Sequence, residues 1–215
     1  MKKSIRFIAA CIPFLAITLS SAAQGDKAGE ILEALKKKSQ AYQTVQAEFT
    51  YAIINPNENL DETFPGILYI KGDRYRLAIA GQLVICDGTT TWTYLEEAQE
   101  VQINSVEEDD ESITPAKIFT SFFDAYKPTF LGEINREGKI IQKIELIPPE
   151  EKSFSKMILE IEKNKLEIVQ FAILDKSGNT FTYIMSRFVT DIPIGEDKFT
   201  FNTLAYPDAE IIDMR

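Results

Sequence analysis

Histidine is absent from this chain of 215 residues. Its absence removes the most common general base at neutral pH, the Ser-His-Asp and Cys-His catalytic arrangements, and every zinc site that uses imidazole. The sequence also lacks a G-x-S-x-G motif and a glycine-rich phosphate loop. We therefore predict a protein that is not an enzyme and that holds no cofactor and no metal. A hydrolase built on a carboxylate pair or a Ser-Lys pair stays open, because a fold can assemble either pair from distant residues.

Apolar runs are short, and the most apolar stretch covers residues 5–19. Basic residues at positions 2, 3 and 6 precede or open it, and small residues at 21–23 follow it, which is the pattern of a cleavable secretory signal peptide. The run is too short for a membrane span of about 20 residues. We predict cleavage between Ala23 and Gln24, so that residues 1–23 are a signal peptide and residues 24–215 are a soluble protein outside the cytoplasm.

Cysteine occurs only at positions 11 and 86. Residues 8–11 (IAAC) resemble the lipobox of an acylated lipoprotein, but eight mostly apolar residues follow Cys11, which favours cleavage after Ala23. Cys86 is then the one cysteine left, so an intramolecular disulfide is excluded and stability must come from an apolar core. Its place in a predicted strand indicates a small buried residue rather than a nucleophile.

Basic residues are outnumbered, 23 against 33 acidic ones, which gives a net charge of −10 before cleavage. Nucleic acid is excluded as a partner because a phosphate-binding surface needs clustered Lys and Arg. Anionic membrane surfaces are disfavoured for the same reason. The acidic runs at 96–100 and 107–111 lack the spacing of a calcium-binding loop, so we interpret both as solvated loops.

Two helices are predicted. Apolar residues at helical spacing indicate one helix over residues 28–42, with acidic residues early and lysines late, as the helix dipole favours. Thr114-Pro115 offers a cap followed by proline in the first turn of a second helix, over residues 115–126. That helix places large apolar residues on one face, and Pro128 ends it.

The remaining chain has the short alternating segments and turn signals of an antiparallel sheet. Asp87-Gly88 is a strong hairpin signal. With no repeat and no linker, we predict a single α+β domain over residues 24–215. The predicted strands are 46–54, 66–71, 74–80, 82–87, 90–95, 100–104, 139–147, 155–162, 166–174, 180–188 and 198–201.

Aromatic residues are abundant, with 14 Phe and 8 Tyr. Several strands place large apolar residues on one face, which describes either an ordinary core or a pocket for a hydrophobic ligand. Composition leaves that choice open.

Several strings, in this order and spacing, resemble the LolA family, the periplasmic carriers of outer-membrane lipoproteins. The likeness spans nearly all of the chain after residue 24. The strings are residues 42–49 (YQTVQAEF), 66–71 (GILYIK), 87–88 (DG) followed by 92–94 (WTY), 100–101 (EV), 199–201 (FTF) and 207–215 (PDAEIIDMR).

The resemblance implies a half-open antiparallel β-barrel, a strongly curved sheet whose concave apolar face is covered by helices. It implies a monomeric carrier that shields acyl chains of lipoproteins, accepts them from an inner-membrane lipoprotein-releasing transporter and passes them to an outer-membrane acceptor. Phe119, Phe122 and Phe123 are expected to fill the cavity when it is empty. The full set of expected cavity residues is Phe49, Tyr51, Leu68, Ile70, Leu77, Ile79, Trp92, Tyr94, Ile118, Phe119, Phe122, Phe123, Phe171, Phe181 and Tyr183.

One position departs from the family. Well-known proteobacterial carriers have an arginine after the lysine that matches Lys71, and that arginine has been linked to lid closure and release; here the position is Gly72. Arg74 and Arg76 lie nearby in the sequence. Two alternatives share the scaffold: a relative that carries another lipid-like cargo or amphiphile, and a periplasmic sensor that binds a protein partner.

Overall fold

The computed structural model describes residues 22–106, 126–149, 152 and 154–215. One helix and twelve strands lie within these residues. The elements are α1 (Ala22–Gln40), β1 (Val45–Asn55), β2 (Leu60–Lys71), β3 (Arg74–Ile79), β4 (Gln82–Cys86), β5 (Thr90–Leu95), β6 (Glu100–Ser105), β7 (Lys127–Arg136), β8 (Lys139–Ile147), β9 (Phe154–Glu162), β10 (Glu167–Asp175), β11 (Thr180–Thr190) and β12 (Glu210–Asp213).

All twelve strands belong to one sheet, in the order β12-β6-β5-β4-β3-β2-β1-β11-β10-β9-β8-β7. Neighbouring strands are antiparallel except at one edge, where β12 runs parallel to β6. Strands β7 and β12 are the two ends of this order, so the sheet is open. The predicted antiparallel sheet is therefore confirmed, whereas only one of the two predicted covering helices falls among the described residues.

Most predicted strands match the observed ones within a few residues, and two differences stand out. The segment 198–201 is not a strand, because Glu196–Phe199 forms a 3-10 turn instead. Strands β7 and β12 were not predicted. The predicted helix over residues 115–126 lies outside the described residues except for Tyr126, which directly precedes β7.

Side chains from β1 to β4 and from β7 to β11 form one hydrophobic cluster, which we call the main cluster. Members such as Cys86 of β4 and Phe130 of β7 belong to strands far apart in the sheet order. They can share a cluster on one face only if the sheet curves around them. The main cluster therefore lies on the concave face of a strongly curved sheet.

Helix α1 contributes a stripe of buried residues to the main cluster: Ala28, Leu32 and Leu35 are at most 7% exposed. Their spacing of three to four residues keeps them on one side of the helix. The helix begins at Ala22, six residues before the predicted start, because alanine and glutamine at 22–24 also favour helix. No helix among the described residues is long and apolar enough to cross a membrane.

Ion pairs fasten both ends of α1 to the sheet. Lys27 lies 3.2 Å from Glu133 of β7 and 3.9 Å from the centre of the Phe130 ring. Near the other end, Lys38 contacts Glu167 at 3.3 Å. Glu133 also accepts hydrogen bonds from Gln142 and Lys163. Its partners Gln142, Lys163 and Lys27 lower the pKa of Glu133 from 4.5 to about 2.

This carboxylate gives a prediction for acid stability. Because the pKa of Glu133 is lower in the folded protein, its stabilising effect is present above pH 4.5 and is lost as the pH falls towards 2. In urea unfolding, Glu133→Gln should lower the midpoint at pH 7 and leave it unchanged near pH 2. Glu137→Gln, in the exposed turn between β7 and β8, is the control and should change neither midpoint. An equal effect of Glu133→Gln at both pH values would contradict the assignment.

Candidate functional site

The concave face changes from closed to half-open across the sheet. Beneath α1 the apolar side chains are sealed: Ile144, Leu146 and Ile161 have no exposed surface. Other apolar side chains pack against the main cluster but stay only partly buried, and these form the candidate site. They include Tyr51, Leu77, Ile79, Val84, Ile173, Tyr183 and Met185.

Six aromatic rings lie together on the concave face, four of them partly buried and two, Phe49 and Phe171, buried; we call them the aromatic cluster. Its centre is Tyr183, whose ring stacks on Phe171 at 4.3 Å and lies 4.9 Å from the ring of Tyr51. The strand register explains these contacts, since Tyr183 pairs with Phe171 on one side and with Tyr51 on the other. The cluster consists of Phe49, Tyr51, Phe64, Phe171, Phe181 and Tyr183.

A glycine makes room for one of these rings. Gly66 of β2 pairs with Phe49 of β1, and a Cβ added to Gly66 would lie 2.4 Å from Cε2 and Cζ of the Phe49 ring. The ring therefore lies directly over the glycine backbone. This contact replaces the packing that a side chain at Gly66 would otherwise supply.

The two tyrosines of the aromatic cluster have an apolar environment. Burial raises the pKa of the Tyr183 hydroxyl well above its usual value, and the nearby Tyr51 adds to the shift. Burial also raises the pKa of Tyr51. Both groups are therefore neutral hydrogen-bond donors throughout the physiological pH range.

A second cluster lies on the opposite, convex face. Along β4, Val84 and Cys86 join the main cluster, whereas their neighbours Leu83 and Ile85 join the second one. Successive strand residues point to opposite faces, so the two clusters are separated by the sheet itself. Its other members come from β3, β5, β6 and the C-terminal segment: Ala78, Trp92, Tyr94, Val101, Ile103, Phe201, Tyr206 and Ala209.

Gly72, where the resembling carriers have an arginine, lies in the turn between β2 and β3. Its φ is +59°, and a Cβ there would meet nothing within 4 Å, so the turn favours glycine for backbone reasons alone. Arg74 is ion-paired with Glu196 and lies 5.3 Å from the centre of the Phe199 ring. Arg76 pairs in register with Ile85 of the second cluster and so lies on the convex face. Neither arginine reaches the concave face.

A buried carboxylate also lies away from this face. Glu160 pairs with Lys143 at 3.0 Å, and Arg136 Nη2 lies 2.8 Å from its Oε2 without the alignment of a hydrogen bond. Two cations offset its burial, which is the arrangement of a structural ion pair. Within the described part of the chain, no three acidic or cysteine side chains are grouped as a metal site.

Comparison with known proteins agrees with this architecture. The profile of the family described as outer membrane lipoprotein carrier protein LolA matches residues 40–202. The chain belongs to the LolA family. An outer-membrane lipoprotein carrier protein from Shewanella pealeana is similar to this LolA-family chain, with 23% identity over 84% of the chain and 85% of the relative.

A solved structure shares the fold of this chain. An uncharacterised conserved protein from Thermus thermophilus aligns with a TM-score of 0.59 at 16% identity, over 87% of this chain and 99% of that one. The Pseudomonas aeruginosa MucA/MucB complex aligns with a TM-score of 0.43 at 14% identity, over 82% of this chain and 62% of that one. At a TM-score of 0.43, the second structure indicates no function for this chain.

The structure brings most of the predicted cavity residues of this LolA-family chain to one face. Trp92 and Tyr94 lie elsewhere: both are in the second cluster, where Trp92 stacks on Phe201 and Tyr94 packs on Tyr206. Ile118, Phe119, Phe122 and Phe123 lie outside the described residues. Contact with a ligand remains a prediction for the others, which are Phe49, Tyr51, Leu68, Ile70, Leu77, Ile79, Phe171, Phe181 and Tyr183.

The predicted cavity residues leave out Phe64, Val84, Ile173 and Met185, which lie on the same face. Phe64 precedes Pro65, and the predicted strand begins only after that proline, whereas β2 begins at Leu60 and contains it. Continuing the alternation backwards from Leu68 through Gly66 would have found Phe64. Ile173 and Met185 alternate in the same way with Phe171 and Tyr183.

The contact between Gly66 and Phe49 gives a stability prediction. Gly66→Ala should destabilise the protein by about 1–3 kcal/mol, because the new methyl group must displace the Phe49 ring. Gly29→Ala in α1 is the matched control; its Cβ meets nothing within 4 Å, so it should stabilise by about 0.5–1 kcal/mol. Chemical denaturation measures both values. A Gly66→Ala protein as stable as the parent would show that the ring does not lie there.

The second cluster gives a spectroscopic prediction, because Trp92 is the one tryptophan of the chain. Phe201→Ala should lower the free energy of unfolding by about 3–5 kcal/mol. It should also move Trp92 emission to longer wavelength by exposing the indole. Leu204→Ala is the control, since Leu204 is 87% exposed in the same segment and should change neither quantity. Unchanged emission in Phe201→Ala would contradict the stacking of these rings.

Proposed function

We propose that this protein is a non-enzymatic carrier that binds the acyl chains of lipoproteins against its concave face and moves them through the periplasm. The observation that carries the proposal is the row of partly buried aromatic and aliphatic side chains beside a sealed core. Membership in the lipoprotein carrier family supports the choice of cargo.

Burial of apolar surface supplies the driving force. Each methylene group that an acyl chain removes from water contributes about 0.8 kcal/mol, so one long chain provides far more than a single hydrogen bond. The concave face offers Leu77, Ile79 and Val84 on one side and Tyr183 and Met185 on the other. Their own exposed surface is removed from water by the same contact, which adds to affinity.

Two groups of ion-paired side chains in this part of the sheet lie away from the concave apolar residues. Lys71 and Arg74 hold Glu196 at the β2–β3 turn, and Arg187 pairs with Glu48 at 3.1 Å on the convex face. The positions of β3 that point to the concave side are Tyr75, Leu77 and Ile79. An uncharged, elongated ligand is what such a surface accommodates.

Export and delivery complete the proposal. In this proposal the signal peptide is cut between Ala23 and Gln24, and the domain of residues 24–215 is released into the periplasm. The domain acts there as a monomer. The donor is an inner-membrane lipoprotein-releasing transporter and the recipient is an outer-membrane acceptor, both on the strength of the family alone. The predicted lid residues Phe119, Phe122 and Phe123 belong to the same proposal.

Two isoleucines on opposite faces of the sheet allow a matched test. Ile79→Gln places a polar group among the partly buried residues of the concave face and should weaken binding of a diacylated lipopeptide by about tenfold. Ile184→Gln is the control, because Ile184 pairs with Thr50 on the convex face and is 43% exposed. Native mass spectrometry of the mature protein, titrated with the lipopeptide, measures both affinities.

Three outcomes would contradict the proposal. Failure of the mature protein to take up any lipopeptide would exclude an acyl carrier. An equal loss in the two variants would place the ligand somewhere other than the concave face. Exclusive binding of an amphiphile without a peptide would replace lipoproteins with another lipid-like cargo.

A further inference from the structure

Two tyrosine hydroxyls on the concave face have no hydrogen-bond partner among the described residues. They belong to Tyr51 of β1 and Tyr183 of β11, which are paired in register with ring centres 4.9 Å apart. A third tyrosine on this face, Tyr75, has the Thr91 side chain near its hydroxyl, which lowers its pKa against the larger raising effect of burial. Both side chains are only partly buried, so water can reach the hydroxyls, but two donors at one place on an apolar face still need a reason.

Ring packing does not supply that reason. Phe171 stacks on Tyr183 at 4.3 Å, and the rings of Phe64 and Phe181 each lie 6.4 Å from that of Tyr51. Phenylalanine at positions 51 and 183 would keep every one of these contacts. What tyrosine adds is a pair of neutral donors in the middle of an otherwise apolar surface.

The residues around Tyr51 and Tyr183 indicate which kind of ligand group accepts their hydrogen bonds. The residues of β1, β2, β3, β10 and β11 that point to the concave side include no lysine or arginine, and Glu62 near Phe64 is acidic. A carboxylate ligand such as a free fatty acid would find no cation there. An uncharged carbonyl oxygen, which only accepts hydrogen bonds, matches the two donors.

We propose that Tyr51 and Tyr183 donate hydrogen bonds to the carbonyl oxygens that join the acyl chains to the N-terminus of an acylated peptide. The inference rests on the proposed carrier function and adds a polar recognition point to it. Hydrocarbon chains then lie along the apolar side chains of β2, β3 and β4, while the two hydroxyls fix the position of the linkage. The pair acts as a specificity determinant rather than as the main source of affinity.

A pair of synthetic probes isolates the carbonyl groups. One is a peptide whose N-terminal cysteine carries a diacylglyceryl group with two ester-linked palmitoyl chains, and the other is its diether analogue. The parent protein should bind the ester probe about three- to tenfold more tightly for each hydrogen bond formed. In the double variant Tyr51→Phe with Tyr183→Phe this preference should fall to near one, while affinity for the ether probe stays unchanged.

Tyr69→Phe is the control variant. Tyr69 pairs with Arg76 on the convex face, and Lys198 lies 5.2 Å from the centre of its ring. Its ester preference should equal that of the parent. All variants keep their rings, and chemical denaturation of each verifies that the fold is intact.

The outcomes separate the two proposals. If the parent binds both probes equally, the inference is overturned and the carrier function stands. If the parent binds neither probe, both are overturned. An ester preference that survives in the double variant assigns carbonyl recognition to other groups. A dispersed diacyl phospholipid bound as tightly as the ester probe, with the same dependence on the two tyrosines, overturns the assignment to an acylated peptide.

Discussion

The alternation of side chains along each strand is the constraint on which the rest of the structure depends. One sheet must bury two apolar surfaces, and strand β4 divides its residues between them: Val84 and Cys86 face one way, Leu83 and Ile85 the other. A shift of register by one residue would exchange the two faces. The concave side can therefore hold one set of apolar residues while the convex side of the same strands packs against a different segment.

The two faces are covered by different segments. On the convex side, Phe201 stacks on Trp92 and Tyr206 packs at a tilt against Tyr94, over buried residues of β4 and β6. On the concave side, α1 packs against one part of the main cluster, while Tyr51, Phe64, Phe181 and Tyr183 stay partly buried. Exposure of such apolar surface to water is unfavourable, and a hydrophobic ligand that covers the surface would remove that free-energy cost.

Local signals made most of the sheet predictable. The hairpins from β2 to β6 and from β8 to β11 were found because glycine, asparagine and acidic turn residues separate their alternating segments. Strand β7 is not predicted because Pro128 has the position of a residue that ends a helix, although proline is also compatible with an edge strand. Strand β12 was missed because its parallel pairing with β6 depends on a segment more than a hundred residues away.

The sequence by itself determined the antiparallel strands, the absence of histidine chemistry and the aromatic composition of the candidate face, because these depend on residue type and local spacing. Only the tertiary structure decided which face each strand gives to the site. Trp92 and Phe181 both alternate in aromatic strands, yet Trp92 is covered by Phe201 and Phe181 stacks near Tyr51. The pairing of Tyr51 with Tyr183 was decided in the same way, since long-range register brings the two strands together.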